Sequence, residues 1–173
     1  MNRRSKARDD RATPMAQQAG EGGEGSAANG GATLRGSCHC GRIGLAFSIA
    51  QASATLHPRA CDCSFCTRHG AAWVSDPAGR LSMSVRGADT LGEYRQGSST
   101  ARFLLCRHCG VLVAVVADHA ARLHGAVNAR CLDGDTRLGD RQPASPQRLA
   151  PEQRRLRWSK LWVPDVVLAI SDA

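Results

Sequence analysis

Hydrophobic and polar residues alternate with a period of two along much of this chain. Ile43, Leu45 and Phe47 are interleaved with Gly44, Ala46 and Ser48, and Leu81, Met83 and Val85 with Ser82 and Ser84. Successive strand side chains face opposite sides, so this pattern predicts half-buried β-strands. Further strands are predicted over 71–74, 91–95, 101–105, 111–116 and 127–132. Turn formers separate several of them: Asp76-Pro77-Ala78-Gly79, Arg86-Gly87-Ala88-Asp89 and Gln96-Gly97-Ser98-Ser99. Many short strands at this spacing predict a mainly β fold, a small sandwich or barrel-like domain.

The alternation is absent at both ends. Residues 1–33 begin as a mixed charged run and become Gly/Ala/Glu-rich, a composition that buries too little apolar surface to offset chain entropy. A disordered tail is therefore expected there, with order beginning near Leu34. A domain over 34–140 follows. Beyond it the chain turns Pro-, Gln- and Arg-rich, and residues 141–173 read as a C-terminal extension of unassigned order. Its last stretch holds Trp158, Trp162 and a Val/Leu/Ile cluster interrupted by Pro164, and is expected to dock as a tail.

Composition changes this picture in two places. Aromatic residues make up only 4% of the 173 residues, so metal crosslinks are expected to reinforce a core short of rings. The formal charge of +8 raises nucleic-acid binding, but much of the excess is terminal (Arg3, Arg4, Lys6, Arg8 and Arg11; Arg154, Arg155, Arg157 and Lys160). No aromatic residues interleave with it to stack on bases, so nucleic acid is not the expected partner. Steering of small anions is a milder use of the same charge. No run reaches the roughly 18–20 apolar residues of a membrane span, and the N-terminus lacks the apolar core of a secretory signal. A reducing cytoplasmic location is expected, where close-set cysteines serve metal or redox sites.

Candidate chemistry is concentrated in cysteine. Seven of the eight cysteines fall in three clusters: Cys38/Cys40, Cys61/Cys63/Cys66 and Cys106/Cys109. A closed structural zinc takes four protein ligands, whereas a catalytic zinc takes three and keeps one position open. Cys38, Cys40, Cys106 and Cys109 would make a four-sulfur site from two distant segments, stapling the start of the domain to its later half. Cys61, Cys63 and Cys66 are compact enough to reach one further ion. Alternatives are a second structural zinc completed by His57, His69 or His108, an iron–sulfur cluster, or metal-free redox cysteines. Gly41 and Gly110 each follow a cysteine pair and would permit a tight knuckle turn. Cys131 reads as a buried thiol in a strand, Tyr94 as a core residue, and His39 and His108 as pointing outward. Asp62 would shuttle protons or simply face water.

The ordered motifs Gly36-x-Cys38-x-Cys40-Gly41, Cys61-x-Cys63-Ser64-x-Cys66-x-Arg68-x-Gly70 and Phe103-x-x-Cys106-x-x-Cys109-Gly110 resemble those of the glutathione-dependent formaldehyde-activating enzymes. That family includes the centromere protein V-like proteins, whose closing strand is similar to Val127 to Gly134 here. The resemblance covers roughly 34–135. It implies an Mss4-like β fold and two zincs: a structural one on Cys38, Cys40, Cys106 and Cys109, and a catalytic one on Cys61, Cys63 and Cys66. The open position of the catalytic zinc would accept the thiol of glutathione, the implied co-substrate. The implied reaction is that of a carbon–sulfur lyase, joining glutathione to formaldehyde as S-hydroxymethylglutathione and reversing the step. Arg68 and Arg102 are candidates for contacting glutathione carboxylates, chosen by their proximity in sequence to the clusters. The stretch 115–122 lacks the Pro/Ser-bearing segment expected of the family, which would bear on substrate choice. Two other functions fit the same motifs: a non-enzymatic two-zinc binding module of the chromatin or cytoskeletal kind, and a thiol-based aldehyde sensor.

Overall fold

The computed structural model describes residues 30–134, 136 and 138–172. Most of the expected N-terminal tail therefore lies outside the described residues. The chain is mainly β, arranged as a four-stranded and a seven-stranded sheet. The smaller sheet has the order β1 (Ala32–Ser37), β2 (Ile43–Ile49), β5 (Arg80–Arg86) and β11 (Val166–Ser171). The larger runs β10 (Gln142–Ala144), β3 (Arg59–Cys61), β4 (Ala72–Val74), β9 (Arg122–Asn128), β8 (Leu112–His119), β7 (Arg102–Cys106) and β6 (Leu91–Tyr94). Pairing is antiparallel throughout except β10 on β3 and β11 on β5.

The period of two explains how the layers stack. On β2 and β5, Ile43, Leu45, Phe47, Leu81, Met83 and Val85 are buried in the core between the sheets. In the larger sheet alternate residues divide between two cores. Val74, Leu104, Ala114, Val116 and Val127 join the inter-sheet core. Their neighbours Trp73, Phe103, Val115 and Ala126 form a second core on the opposite face, covered by α1 (Ser64–Arg68) and α2 (Pro151–Leu161). Strand β8 is buried over its first six residues because both faces are covered, which is why its sequence is a continuous apolar run.

Two elements depart from the pattern-based expectation. The strand expected over 127–132 ends at Asn128, whose side chain caps a 3-10 turn, Ala129–Cys131, by accepting from the Arg130 amide. The strand instead extends backward to Arg122. His119 pairs with Arg122 across a two-residue turn in which Ala120 and Ala121 both have positive φ (47° and 59°). That is the mirror-image turn hairpins favour, but alanine carries none of its Asn-Gly signature. The second departure is the C-terminal segment. Beyond 141 it supplies β10, α2 and β11, and a bridge from Val163 to Gly125 carries the chain from one sheet to the other. Pro164 falls between α2 and β11, where it interrupts neither. Among the described residues no helix is long and apolar enough to cross a membrane.

Candidate metal centres and the adjoining cleft

Cys38 and Cys40 leave the end of β1, and Cys106 and Cys109 leave the end of β7. Each pair sits on a knuckle of the same local design. The Cys38 amide donates to the Ile43 carbonyl at 2.9 Å and the Gly41 amide to the Cys38 carbonyl at 2.9 Å. In the second knuckle the Cys106 amide donates to Val111 at 3.0 Å and the Gly110 amide to Cys106 at 2.8 Å. Gly41 and Gly110 hold φ of 71° and 73°, the left-handed region where a Cβ is costly.

The four sulfurs lie within 4.8 Å of one another, with Cys40 Sγ 3.6 Å from both Cys38 Sγ and Cys106 Sγ. Metal–sulfur bonds of about 2.3 Å in a tetrahedron imply sulfur–sulfur edges of about 3.8 Å, so the arrangement fits a divalent ion such as zinc. The Ile43 amide adds a bond to Cys38 Sγ at 3.3 Å. Without an ion, burial pushes the Cys106 thiol up to about 12. Burial also opposes ionisation of Cys109, but the amides of Val111 and Cys40 and the neighbouring thiols outweigh it, bringing Cys109 down to about 6.

Cys61, Cys63 and Cys66 form a second set with sulfurs within 4.8 Å of one another. Strand β3 delivers Cys61, Cys63 is the N-cap of α1, and one helical turn returns Cys66 beneath it. The Cys66 amide donates to Cys63 Sγ at 3.4 Å. The Cys66 thiol bonds to Cys61, which lowers Cys61 to about 6 and raises Cys66. Among the described residues neither His57, His69 nor His108 joins either set. The first set is closed by four sulfurs; the second has three donors and a free side.

That free side faces a cleft of about 210 Å³ whose lining includes Cys61, Cys63, Gln96, Ser98, Phe103 and Trp158. Gln96 Nε2 donates to Cys63 Sγ at 3.2 Å. Much of the far wall comes from the C-terminal segment. Arg154 of α2 donates from Nη1 to Ser98 Oγ at 3.0 Å, from Nε to the Pro146 carbonyl at 3.1 Å, and from Nη2 to the Leu149 carbonyl at 3.0 Å. It thereby ties the helix to both rims of the cleft. Trp158 stacks on Trp162 with centroids 4.6 Å apart, closing the apolar side.

The other residues singled out from the sequence are placed differently. Arg68 is exposed, and its Nη1 donates to the Ser64 carbonyl of its own helix at 3.1 Å, away from the cleft lining. Arg102 precedes Phe103 on β7, so the pleat sends it to the opposite face of the sheet. There it pairs with Glu93 at 3.1 Å and Asp118 at 3.5 Å. Sequence proximity therefore brings neither arginine to the cysteines. Asp62, flanked by two inward cysteines, points outward and accepts hydrogen bonds from Ser145 Oγ at 2.6 Å and from Gln147 Nε2. Those bonds hold its carboxyl below the usual range and clamp the C-terminal segment beside the cluster. Tyr94, expected in the core, is exposed and stacks on Phe65 at 4.6 Å. Cys131 is buried as expected, with its thiol donating to the Leu112 carbonyl at 3.5 Å, but it sits in the 3-10 turn rather than a strand. His39 and His108 are exposed.

Gln96, Ser98, Gln147, Arg154 and Trp158 were not foreseen as site residues. Gln96 and Ser98 read as turn formers, and residues 141–173, which hold Arg154 and Trp158, read as an extension of unassigned order. The local signal was present: Pro151 at a helix start, with Trp158 and Trp162 four residues apart.

A Rhodobacter sphaeroides protein of known crystal structure is similar to this chain: 33% identity, 59% of this chain and 90% of that one covered, and a TM-score of 0.45. The family model for the glutathione-dependent formaldehyde-activating enzyme matches residues 33–148, which span all seven clustered cysteines and well over half of the sequence. This chain therefore belongs to the glutathione-dependent formaldehyde-activating enzyme family.

Proposed function

We propose that this protein is a zinc-dependent enzyme that makes and breaks the carbon–sulfur bond between a thiol and an aldehyde, with glutathione and formaldehyde as the pair. The observation that carries this reading is the contrast between a closed four-sulfur set and a three-sulfur set opening onto a lined cleft. Cys38, Cys40, Cys106 and Cys109 would hold a structural zinc, and Cys61, Cys63 and Cys66 a catalytic one. A zinc bound there would supply thiol deprotonation and Lewis acidity at the fourth position.

The chain's own residues set the conditions for that chemistry. Three thiolates carry more negative charge than one divalent ion neutralises, which keeps an incoming sulfur nucleophilic. Gln96 moderates this charge through its bond to Cys63. Phe103 and Trp158 exclude water from the apolar side, and the rims held by Arg154 fix the width of the entrance. In the reaction the thiol sulfur forms a bond to the aldehyde carbon, the carbonyl π bond opens, and the thiol proton ends on the oxygen. Nothing is oxidised or reduced. A reducing cytoplasmic setting suits this chemistry, because metal-binding thiolates must be kept from pairing as disulfides.

The test is an NMR exchange measurement between formaldehyde plus glutathione and their adduct, using zinc-loaded protein and Cys63→Ser. Exchange above the uncatalysed rate, abolished in the variant, is the expected result. Background exchange by protein holding both zincs would reject this substrate pair.

A further inference from the structure

Among the described residues the two sheets end in four edge strands, β1, β11, β10 and β6, and three of these are protected against further pairing. The outer side of β1 is bridged at Gly36 by Leu132, and the Asp133 amide donates to the Arg35 carbonyl at 2.9 Å. β10 is three residues long; Gln142 and Ala144 bond to Pro58 and Asp62 at the two ends of β3, which leaves Pro143 facing out with no N–H to offer. β6 has four residues, among them the exposed Glu93. A covering segment, proline, short length and charge are the devices that keep sheet edges from recruiting another strand.

β11 has none of them. Its six residues, Val166–Ser171, include no charge, proline or glycine. The Leu81 amide donates to the Asp165 carbonyl at 3.0 Å and the Gly87 amide to the Ser171 carbonyl at 2.9 Å. Backbone groups alternate in direction along a strand, so the odd-numbered residues bond to β5, while Val166, Leu168 and Ile170 direct N–H and C=O outward. Among the described residues no strand lies beyond them. Val167 and Ile170 are 46% and 52% exposed, two of the four large hydrophobic residues left in solvent among the described residues. An apolar strand with an open backbone edge is a template for another strand.

The strand is also complementary to itself. Set antiparallel to a second copy about a two-fold axis at Leu168, each outward N–H meets an outward C=O. Leu168 then opposes Leu168, and Val166 opposes Ile170. Ile170, left uncovered by its own sheet, packs on a valine at the margin of the core between the sheets. On the outer face Val167 comes opposite Ala169. Asp165, just before the strand, is engaged by Arg80 at 2.7 Å and comes opposite Ser171, so no like charges face each other. Such a contact uses the same patch on both copies, and the covered edge of β1 stops the sheet from growing past two.

We propose that β11 is a dimerisation edge, through which two copies of this chain pair at Val166–Ser171 and join their four-stranded sheets into one. The strand lies beyond the residues matched by the family and in the sheet that does not line the cleft, so the interface is independent of the thiol–aldehyde reading.

Sedimentation equilibrium of the full-length, zinc-loaded protein, from about 1 μM to about 1 mM, tests it. The mass should rise from one chain to two, with a midpoint on the order of 10 μM for so small an interface. Ile170→Lys puts a charge on the edge, and Ile170→Pro removes an outward donor while sparing the ladder to β5. Each should raise the midpoint at least about tenfold and leave the far-UV circular dichroism unchanged; if the proline variant does not fold, the lysine variant decides. Leu156→Lys alters an equally exposed residue (54%) on α2 and should leave the midpoint where it is. Amide hydrogen exchange by NMR then locates the contact. Protection of Val166, Leu168 and Ile170 should grow with concentration, whereas Val167 and Ala169 should be protected throughout. A single-chain mass at every concentration, growth beyond two chains, or a dimer indifferent to Ile170→Lys would each overturn the proposal. So would protection of the even-numbered amides at every dilution with a single-chain mass, which would place a segment of the same chain on the edge.

Discussion

The two cysteine sets use the same side chain for opposite ends. The four-sulfur set joins two knuckles on β1 and β7, and Cys38 and Cys106 are part of the core between the sheets. The three-sulfur set lies on the other face of the larger sheet, with Cys66 buried and Cys61 and Cys63 half-buried at the edge of a cleft. Closing a coordination shell ties distant segments together and leaves no room for chemistry. Leaving it one donor short weakens the site as a staple but gives a ligand somewhere to bind. The surroundings follow the same division. Backbone amides and tight glycine turns support the closed set, while Gln96, Arg154 and Trp158 form the walls of the open one.

If the closed set is the staple, breaking it should have the largest effect on folding. Cys106→Ser is expected to cost about 4–5 kcal/mol or more, the range associated with loss of a structural metal, read as the shift of the urea unfolding midpoint. Cys63→Ser should do the reverse. Its unfolding midpoint should move little, while zinc content falls by one ion per chain and exchange activity drops to background. A chelator titration sharpens the contrast: the open site should release its zinc in a fast phase that is missing from Cys63→Ser. Next comes Arg154→Met, which frees the rims without touching the sulfurs. The thiol KM should rise several-fold with kcat within about twofold, and stability should fall by about 1 kcal/mol.

The smallest effect is expected at Asp62→Asn. The folded carboxyl titrates below its ordinary value because Ser145 and Gln147 donate to the ionised form, aided by the charge of Arg148. A group with a lowered folded pKa stabilises the fold above its unfolded value and loses that contribution as pH falls through the folded one. The variant should therefore melt slightly below the parent near neutral pH, and the two melting curves should converge in acid. A gap that persisted or widened in acid would show that Asp62 holds the C-terminal segment by something other than its charge.

The division between what was legible and what was hidden follows distance along the chain. A Cys-x-Cys or Cys-x-x-Cys spacing brings two sulfurs to one ion through local geometry, and the glycine after each knuckle relieves a local steric conflict. Each knuckle, the three-cysteine set and the positive φ of Gly41 and Gly110 could therefore be read from residues alone. The alternation along β2 and β5 was equally legible, because one buried face enforces a period of two. The hairpin at Ala120-Ala121 was not, since the pairing of β8 with β9 imposes a turn that alanine does not advertise.

Function depended on both kinds of information. By itself the sequence determined the family and the three cysteine clusters, because each cluster depends on residues a few positions apart; the meeting of Cys40 with Cys106 joins positions 66 apart and is a product of the fold. Only the tertiary structure decided which cations meet the open set. Arg68 and Arg102 were near in sequence, but a helix turn and a strand pleat carried them elsewhere. Arg154 lines the cleft beside the cysteines because α2 packs across the aromatic face of the larger sheet. That packing is driven by burial of Trp158 and Trp162 against Trp73 and Phe103, a nondirectional force that leaves no spacing rule in the sequence.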